Sequence, residues 1–174
     1  MTNLDAKLFS TINDLAGHSQ IWDGIMSFLA EYSLWIFGLV MLWYLFKNRR
    51  IFWTSLFAAI LSRGVFTIII RSLYHRTRPF VVLPGAIRLI AQDPAEASFP
   101  SGHTAFLFAI AFAVYLYDKT IGSILILAAL VMSFARVYTG VHYPLDIVGG
   151  IAVGLVSALM VKFFSRNKIS TSGQ

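Results

Sequence analysis

Long apolar stretches separated by short polar breaks dominate the chain from about residue 25 onwards. Five such stretches lie at about residues 25–46, 51–70, 102–117, 121–137 and 145–164. A helix needs about 20 apolar residues to cross the hydrocarbon core of a bilayer, so this pattern predicts membrane-spanning helices, the third of them short. The fold class we expect is therefore all-α, a polytopic membrane helical bundle with about five transmembrane helices.

A weaker apolar pattern precedes the first span, at residues 4–18. Leu4, Leu8, Ile12 and Leu15 recur there at helical spacing, with charged residues between them. The segment is too short and too polar to cross a bilayer. It predicts an amphipathic helix that lies at the membrane interface.

The composition agrees with a bilayer as the solvent. Hydrophobic residues make up 57% of the chain and charged residues only 13%, whereas a soluble domain carries about 25% charged residues. The 174 residues give room for one domain, 1–174, with polar segments at 71–101 and 165–174. The net charge of +6 is scattered among apolar spans, which argues against nucleic acid as a partner. Because the chain has no Cys, thiolate metal sites and cysteine nucleophiles are excluded.

The basic residues predict the orientation in the cell membrane. Lys and Arg accumulate in cytoplasmic loops, and five spans place the 47–50 loop, Lys119 and the basic tail on one side. The N-terminal helix and the 71–101 loop then lie on the outer face. The loop contains four Arg against this charge rule, and a bound anion would explain them.

Three clusters of polar residues lie at the outer ends of the spans. They read Arg71-Ser-Leu-Tyr-His-Arg-Thr-Arg78-Pro79, Pro100-Ser101-Gly102-His103 and Arg136-Val-Tyr-Thr-Gly-Val-His142-Tyr-Pro-Leu-Asp146. Guanidinium groups match phosphate oxygens in pairs, and Arg71, Arg78 and Arg136 supply three. Ser101 and Gly102 come directly before an apolar helix, whose first amides would face an anion. The clusters therefore predict a phosphate-binding site.

The histidines add acid–base equipment to this site. His142 and Asp146 are four residues apart near the start of the last span. A carboxylate at that spacing can orient one ring nitrogen and leave the other free to attack. His103 lies in the first turn of the third span, where its ring can face the same pocket.

In order and in spacing, these clusters resemble the signature of the type 2 phosphatidic acid phosphatase (PAP2) superfamily, which reads K-x6-RP, PSGH and SR-x5-H-x3-D. Two positions depart from it. Arg71 stands where the family has Lys, which keeps a cation but changes its geometry. Ala135 stands where the family has Ser, which removes a hydroxyl.

The resemblance implies a PAP2-like fold and a role for each matched residue. His142 would be the nucleophile that forms a phosphohistidine, Asp146 would orient it, and His103 would be the general acid. The implied phosphate ligands are Arg71, Arg78, Ser101, Gly102 and Arg136. No metal and no cofactor are implied.

Within the superfamily, the chain is similar to bacterial undecaprenyl-diphosphate phosphatases of the bacitracin-resistance type. The small size, Ala-Glu-Tyr at 30–32 and Glu-Ala-Ser-Phe-Pro-Ser at 96–101 carry this likeness. It implies hydrolysis of undecaprenyl diphosphate to undecaprenyl phosphate at the outer membrane face, with the lipid tail in the bilayer. A phosphatidylglycerophosphate or phosphatidate phosphatase is the alternative within this class.

Two readings come from other classes. Haloperoxidases bind vanadate with the same three clusters, but they are soluble, and the five spans argue against them. A lipid-binding or transport protein could also place Arg in a bundle. It would have no need for His103, His142 and Asp146 together.

The sequence says less about the roles of the remaining charged residues. Glu31 and Glu96 are possible supporting residues, and Glu31 could pair with a site Arg or simply reach the interface. Arg63, deep in the second span, is expected to be structural and to lie away from the motif side. Arg76 and Arg88 are expected to be solvated or to contact lipid headgroups.

Overall fold

The computed structural model describes residues 3–171, and this part of the chain consists of helices, turns and loops without a β-strand. The helices are α1 (Asn3–Asn13), α2 (Gln20–Lys47), α3 (Arg49–Ala59), α4 (Thr67–Leu73), α5 (Pro79–Val82), α6 (Gly102–Tyr115), α7 (Lys119–Tyr138) and α8 (Pro144–Thr171). A π-helical segment, Ile60–Phe66, joins α3 and α4 into one continuous helix. The predicted all-α fold class is confirmed.

Four helical segments are long and apolar enough to cross a membrane. They are Gln20–Lys47, Arg49–Leu73, Lys119–Tyr138 and Pro144–Ser165. Large apolar side chains such as Trp35, Leu39 and Phe46 point outward along α2, where hydrocarbon rather than water suits them. The protein is therefore a multi-pass membrane protein.

The third predicted span corresponds to α6, which has only 14 residues and is about 21 Å long. Most of its residues are buried because the other helices surround it. Directly after α6, Asp118 accepts a hydrogen bond from Tyr44 at the far end of α2. The chain thus passes through the bundle five times, but four segments have spanning length and the fifth is a short core helix.

Small residues bring α8 close to α6. A Cβ added to Gly150 would lie 2.7 Å from the Thr104 Cβ, and one added to Gly154 would lie 2.8 Å from the Ala109 nitrogen. Side chains cannot fit at such distances, so the small-x-x-x-small pattern marks a close helix contact. This contact holds α6 and α8 side by side.

The second span is longer than the apolar pattern predicts. It runs through Leu73 rather than ending at residue 70, so Arg71 lies in the last turn of α4 and not in a loop. No proline or glycine stops the helix there, and polar residues in a last turn are compatible with it. The loop that follows begins at residue 74 and contains the short helix α5.

The helix α1 ends at Asn13, earlier than the predicted residue 18. The chain then turns, with Gly17 in the left-handed region at φ +81°. Leu8 is exposed, as expected at an interface, whereas Asp5 and Phe9 on the opposite side are buried. The helix is therefore docked onto the bundle as well as placed to contact lipid.

At the other end of the chain, α8 continues to Thr171. The segment predicted as a polar tail from residue 165 is thus helical over most of its length, because no breaker occurs before Gly173. Residues 172–174 lie outside the described part of the chain.

Candidate active site

A polar cavity of about 300 Å³ lies at one end of the bundle. Helix α4, the start of α6, the end of α7 and the 74–101 loop meet there. It is lined by Arg63, Thr67, Ile68, Arg71, Arg78, Gln92, Glu96, Gly102, His103, Arg136 and His142. Both histidines singled out from the sequence, and the three arginines assigned there to phosphate, reach this wall. The fold therefore brings together residues from three distant parts of the chain.

His142 forms one side of the cavity and is 1% exposed. Its Nδ1 lies 3.3 Å from Asp146 Oδ2, and its Nε2 lies 3.5 Å from Arg78 Nη1. Burial lowers the pKa of His142 to about 3, although the hydrogen bond to Asp146 acts in the opposite direction. The ring is thus neutral at physiological pH. When the Nδ1–H group donates its hydrogen bond to Asp146, Nε2 carries the free lone pair.

Asp146 lies behind His142, off the cavity wall, and is fully buried. Its Oδ2 also accepts a hydrogen bond from the Tyr143 amide at 2.9 Å, and its Oδ1 accepts one from Arg76 Nη1 at 2.7 Å. The His142 ring, the Tyr143 amide and Arg76 all donate, so the carboxylate must act only as an acceptor. The arrangement therefore holds Asp146 ionised and the His142 ring in one orientation.

Arg76 joins Asp146 to the N-terminal helix. Its Nη2 pairs with the buried Asp5 of α1, and Asp5 Oδ1 accepts from the Leu145 amide at 3.0 Å, in the first turn of α8. Burial acts to lower the pKa of Arg76, but the two carboxylates outweigh it and raise that pKa. The expectation that Arg76 is solvated or contacts lipid headgroups is wrong, because the fold surrounds it with two buried carboxylates that are distant in sequence.

Arg78 is buried under the loop and lies beside His142. It donates from Nη1 to the Val141 carbonyl at 3.0 Å and from Nη2 to Glu96 Oε2 at 3.1 Å. Burial, and then the nearby Arg71, lower its pKa to about 10, so the guanidinium stays charged at neutral pH. The carboxylate of the half-exposed Glu96 accepts from Arg78 in the same way that a phosphate oxygen accepts from a guanidinium group.

Arg136 is held from two sides at the end of α7. It donates to the Ala30 carbonyl at 3.2 Å and to Gln92 Oε1 at 3.0 Å, while its buried Nε has no acceptor among the described residues. An unpaired buried donor costs about 1–3 kcal/mol, and an anion in the cavity would offer an acceptor.

Gln92, which accepts from Arg136, carried no signal in the sequence. Glu31, next to Ala30, is exposed and does not reach the cavity wall.

The N-terminus of α6 forms the floor of the cavity. Ser101 is buried off the wall, where its hydroxyl accepts from the Thr104 amide at 3.4 Å and its own amide donates to the Asp146 carbonyl. The structure thus gives the Ser101 side chain a capping role. The amides of Gly102 and His103 are the first two of the helix and have no acceptor among the described residues. They are the donors that an anion would meet.

Arg63 and Arg71 flank Gly102. A Cβ on Gly102 would lie 3.6 Å from Arg63 Nη1 and 3.8 Å from Arg71 Nη2, so both guanidinium groups meet over the start of α6. The expectation that Arg63 lies away from the motif side is therefore wrong. On a regular α-helix, eight residues leave an angular offset of about 80°. The π-helical segment turns less per residue and reduces this offset.

Two other basic side chains of the loop stay outside the cavity. Arg88 is exposed and stacks on the Phe80 ring, with its guanidinium carbon 4.9 Å from the ring centroid. His75 is exposed, and its Nε2 lies 3.1 Å from the Ala95 carbonyl. Neither lines the cavity, which makes both suitable positions for control substitutions.

The cavity has the equipment for phosphoryl transfer. Arginine side chains and helix amides can neutralise phosphate oxygens, a neutral imidazole can attack phosphorus, and His103 can exchange a proton with the leaving oxygen. Within residues 3–171, no three His, Asp or Glu side chains form a group that could hold a metal ion. The positive charge at the cavity comes from Arg63, Arg71, Arg78 and Arg136.

Comparison with known proteins agrees with this geometry. A family model described as the PAP2 superfamily matches residues 52–170. A Bacillus subtilis protein named undecaprenyl-diphosphatase BcrC is 31% identical over 166 residues, which cover 93% of this chain and 84% of that protein. A Bacillus licheniformis protein named bacitracin transport permease protein BcrC is 35% identical over 172 residues, with coverages of 97% and 82%.

A solved structure also shares the fold. The crystal structure of Aquifex aeolicus LpxE superposes with a TM-score of 0.80 at 26% sequence identity. The match covers 92% of this chain and 95% of the LpxE chain. The helical arrangement around the cavity is thus one that a crystal structure also shows.

Proposed function

The chain belongs to the PAP2 superfamily, and we propose that it is a membrane phosphatase that hydrolyses undecaprenyl diphosphate to undecaprenyl phosphate and phosphate. The observation that carries this proposal is the buried His142–Asp146 pair beside a cavity lined by four arginines. The name of the Bacillus subtilis relative supports the choice of lipid. An amphiphilic substrate also suits a cavity that opens at the end of membrane-embedded helices.

The proposed reaction has two steps. Nε2 of His142 attacks the terminal phosphorus, a P–N bond forms, and the bond from phosphorus to the bridging oxygen breaks, so that lipid monophosphate leaves. If the leaving oxygen needs a proton, His103 donates it. A water molecule then attacks the phosphohistidine, giving up a proton to His103, and releases phosphate. Asp146 stabilises the positive charge that builds on His142 in the first step.

A transport function is the competing proposal, because the Bacillus licheniformis relative is named a transport permease. A protein that only binds or moves an anion needs the cavity arginines. It gains nothing from a neutral histidine whose orientation is fixed by a fully buried carboxylate. The His142–Asp146 geometry therefore favours hydrolysis over transport.

Phosphate release by purified protein tests this function directly. The detergent-purified protein is expected to release phosphate from undecaprenyl diphosphate faster than from phosphatidylglycerol phosphate or phosphatidate. Because the cavity charge is supplied by arginine, activity should stay within about twofold in excess EDTA. Free phosphate is measured with each substrate, with and without chelator. No release from any lipid, or loss in EDTA that magnesium restores, would contradict the proposal.

We also propose that the cavity faces the outside of the cell membrane. Basic residues gather at the opposite end of the bundle, where their side chains lie over aromatic rings. They are Lys47, Arg50, Lys119 and Lys162. Lys162 also donates to the Leu116 carbonyl, just after α6. Short loops rich in Lys and Arg remain in the cytoplasm. The basic end is therefore assigned to the cytoplasm and the cavity to the outer face.

Cysteine labelling in intact cells tests this orientation. The chain has no native Cys, so single substitutions give an unambiguous signal. Pro84→Cys, in the exposed loop on the cavity side, is expected to react with a membrane-impermeant maleimide. Thr120→Cys, exposed at the basic end, is expected to react only after the cells are permeabilised. The reverse pattern would place the cavity in the cytoplasm.

A further inference from the structure

Arg63 has no direct partner for its charge among the described residues. It lines the cavity and is exposed, and it makes no hydrogen bond or ion pair with any described residue, although the charge of Glu96 acts on it from a distance. Arg71, Arg78 and Arg136 differ in this respect, because each donates to protein oxygens. A free guanidinium within a spanning helix is costly unless an anion meets it. Its most direct partner is the substrate.

The contacts of Arg63 say which part of a substrate it meets. Its Cα lies up to about 12 Å deeper along the helix than that of Arg71, and its side chain reaches up so that the two guanidinium groups meet over Gly102. His142, by contrast, lies beside Arg78. The phosphorus under attack therefore sits next to Arg78. The part of the substrate that lies over the start of α6 meets Arg63.

Arg63 also lies on the side of the second histidine. Its Nη1 is within van der Waals distance of a Cβ placed on Gly102, the residue before His103. His103 is the side chain that serves the leaving oxygen in the proposed reaction. A group bonded to that oxygen is thus within reach of the Arg63 guanidinium.

We propose that Arg63 binds the phosphate that stays on the lipid, and so makes the site selective for diphosphates over monophosphates. This inference rests on the proposed phosphatase function. When the bond to the bridging oxygen breaks, its electron pair remains on the lipid monophosphate, which gains negative charge. Arg63 stabilises that charge as it develops. A lipid monophosphate substrate has an alkoxide in the same place and offers Arg63 no phosphate.

The test compares two substrates with the same tail, farnesyl diphosphate and farnesyl monophosphate. The ratio of their kcat/KM values is expected to fall by at least about tenfold in Arg63→Gln, as loss of a charge-assisted contact predicts. Arg63→Lys keeps the charge but not the fork, and should recover part of the ratio. Arg88→Gln removes an exposed cation outside the cavity and should leave the ratio unchanged.

Binding gives a second measurement that does not depend on turnover. The inhibition constant of a farnesyl methylene-bisphosphonate should rise at least about tenfold in Arg63→Gln, and that of farnesyl phosphonate should rise much less. These constants decide the question if the monophosphate is not turned over. They also apply to Arg63→Lys if Arg63→Gln does not yield folded protein, with a smaller expected rise.

The possible results separate the two proposals. Failure of the unsubstituted protein to hydrolyse the diphosphate would end the proposed function, whatever Arg63 does. Hydrolysis by that protein together with equal losses on both substrates in Arg63→Gln would overturn the selective role alone. An unchanged bisphosphonate constant would overturn it as well.

Discussion

Replacement of His142 by alanine is expected to lower the rate of phosphate release by about four orders of magnitude or more, while substrate still binds. The imidazole supplies the bond to phosphorus, and no other described side chain on the cavity wall can take its place with a comparable carboxylate partner. Loss of a covalent nucleophile has effects of about this size. Binding survives because Arg78 is held by Val141 and Glu96, independently of the ring.

A trapping experiment checks this prediction beyond the loss of rate. Diphosphate substrate labelled in its terminal phosphate is mixed with the protein and quenched without acid, since phosphohistidine is acid-labile. Label should appear on His142 in the unsubstituted protein and in His75→Ala, whose ring lies outside the cavity. Full activity in His142→Ala would end the proposed mechanism.

Asp146→Asn is expected to lower kcat by about two to four orders of magnitude with little change in substrate binding. The carboxylate accepts hydrogen bonds from the His142 ring, the Tyr143 amide and Arg76. An asparagine side chain has one oxygen and one NH₂ group, so at least one of these donors would face another donor. The substitution therefore disturbs the tautomer of His142 and removes the charge that stabilises an attacking imidazole.

Steady-state kinetics separate this role from general damage to the fold. The expected signature is a fall in kcat with KM within a few-fold, in a protein that elutes and melts like the unsubstituted one. Asp93→Asn, which changes an exposed carboxylate in the loop before α6, should behave like the unsubstituted protein. An unaltered kcat in folded Asp146→Asn would show that His142 does not need this partner.

The sequence carries much of the fold because hydropathy reports directly on spanning helices. The apolar runs locate α7 and the start of α8 to within two residues and α2 to within five. Fixed spacing within short clusters singles out Arg78, His103 and His142. Those clusters lie at helix ends, where a few positions decide both the cap and the ligand. The buried core helix α6 was recognised only as a short span, since hydropathy does not distinguish protein surroundings from lipid.

The rest of the site depends on tertiary geometry that no local pattern encodes. Arg63 reaches the cavity because of a π-helical segment without a sequence signature. Asp5 and Arg76 are partners 71 positions apart, and each alone reads as an ordinary surface charge. Gln92 links Arg136 to the loop through an amide that nothing in its neighbours distinguishes.

The contact between Asp5, Arg76 and Asp146 has a consequence for the order in which the protein acquires activity. Asp5 precedes every spanning helix in the chain, yet its Oδ1 accepts from the Leu145 amide, 140 positions later. A nascent chain that has inserted only α2 to α7 already possesses His103 and the cavity arginines, but neither His142 nor the carboxylate that orients it. Translation must reach α8 before α1 can dock fully. The growing polypeptide therefore stays inert towards membrane lipids until α8 has entered the bilayer.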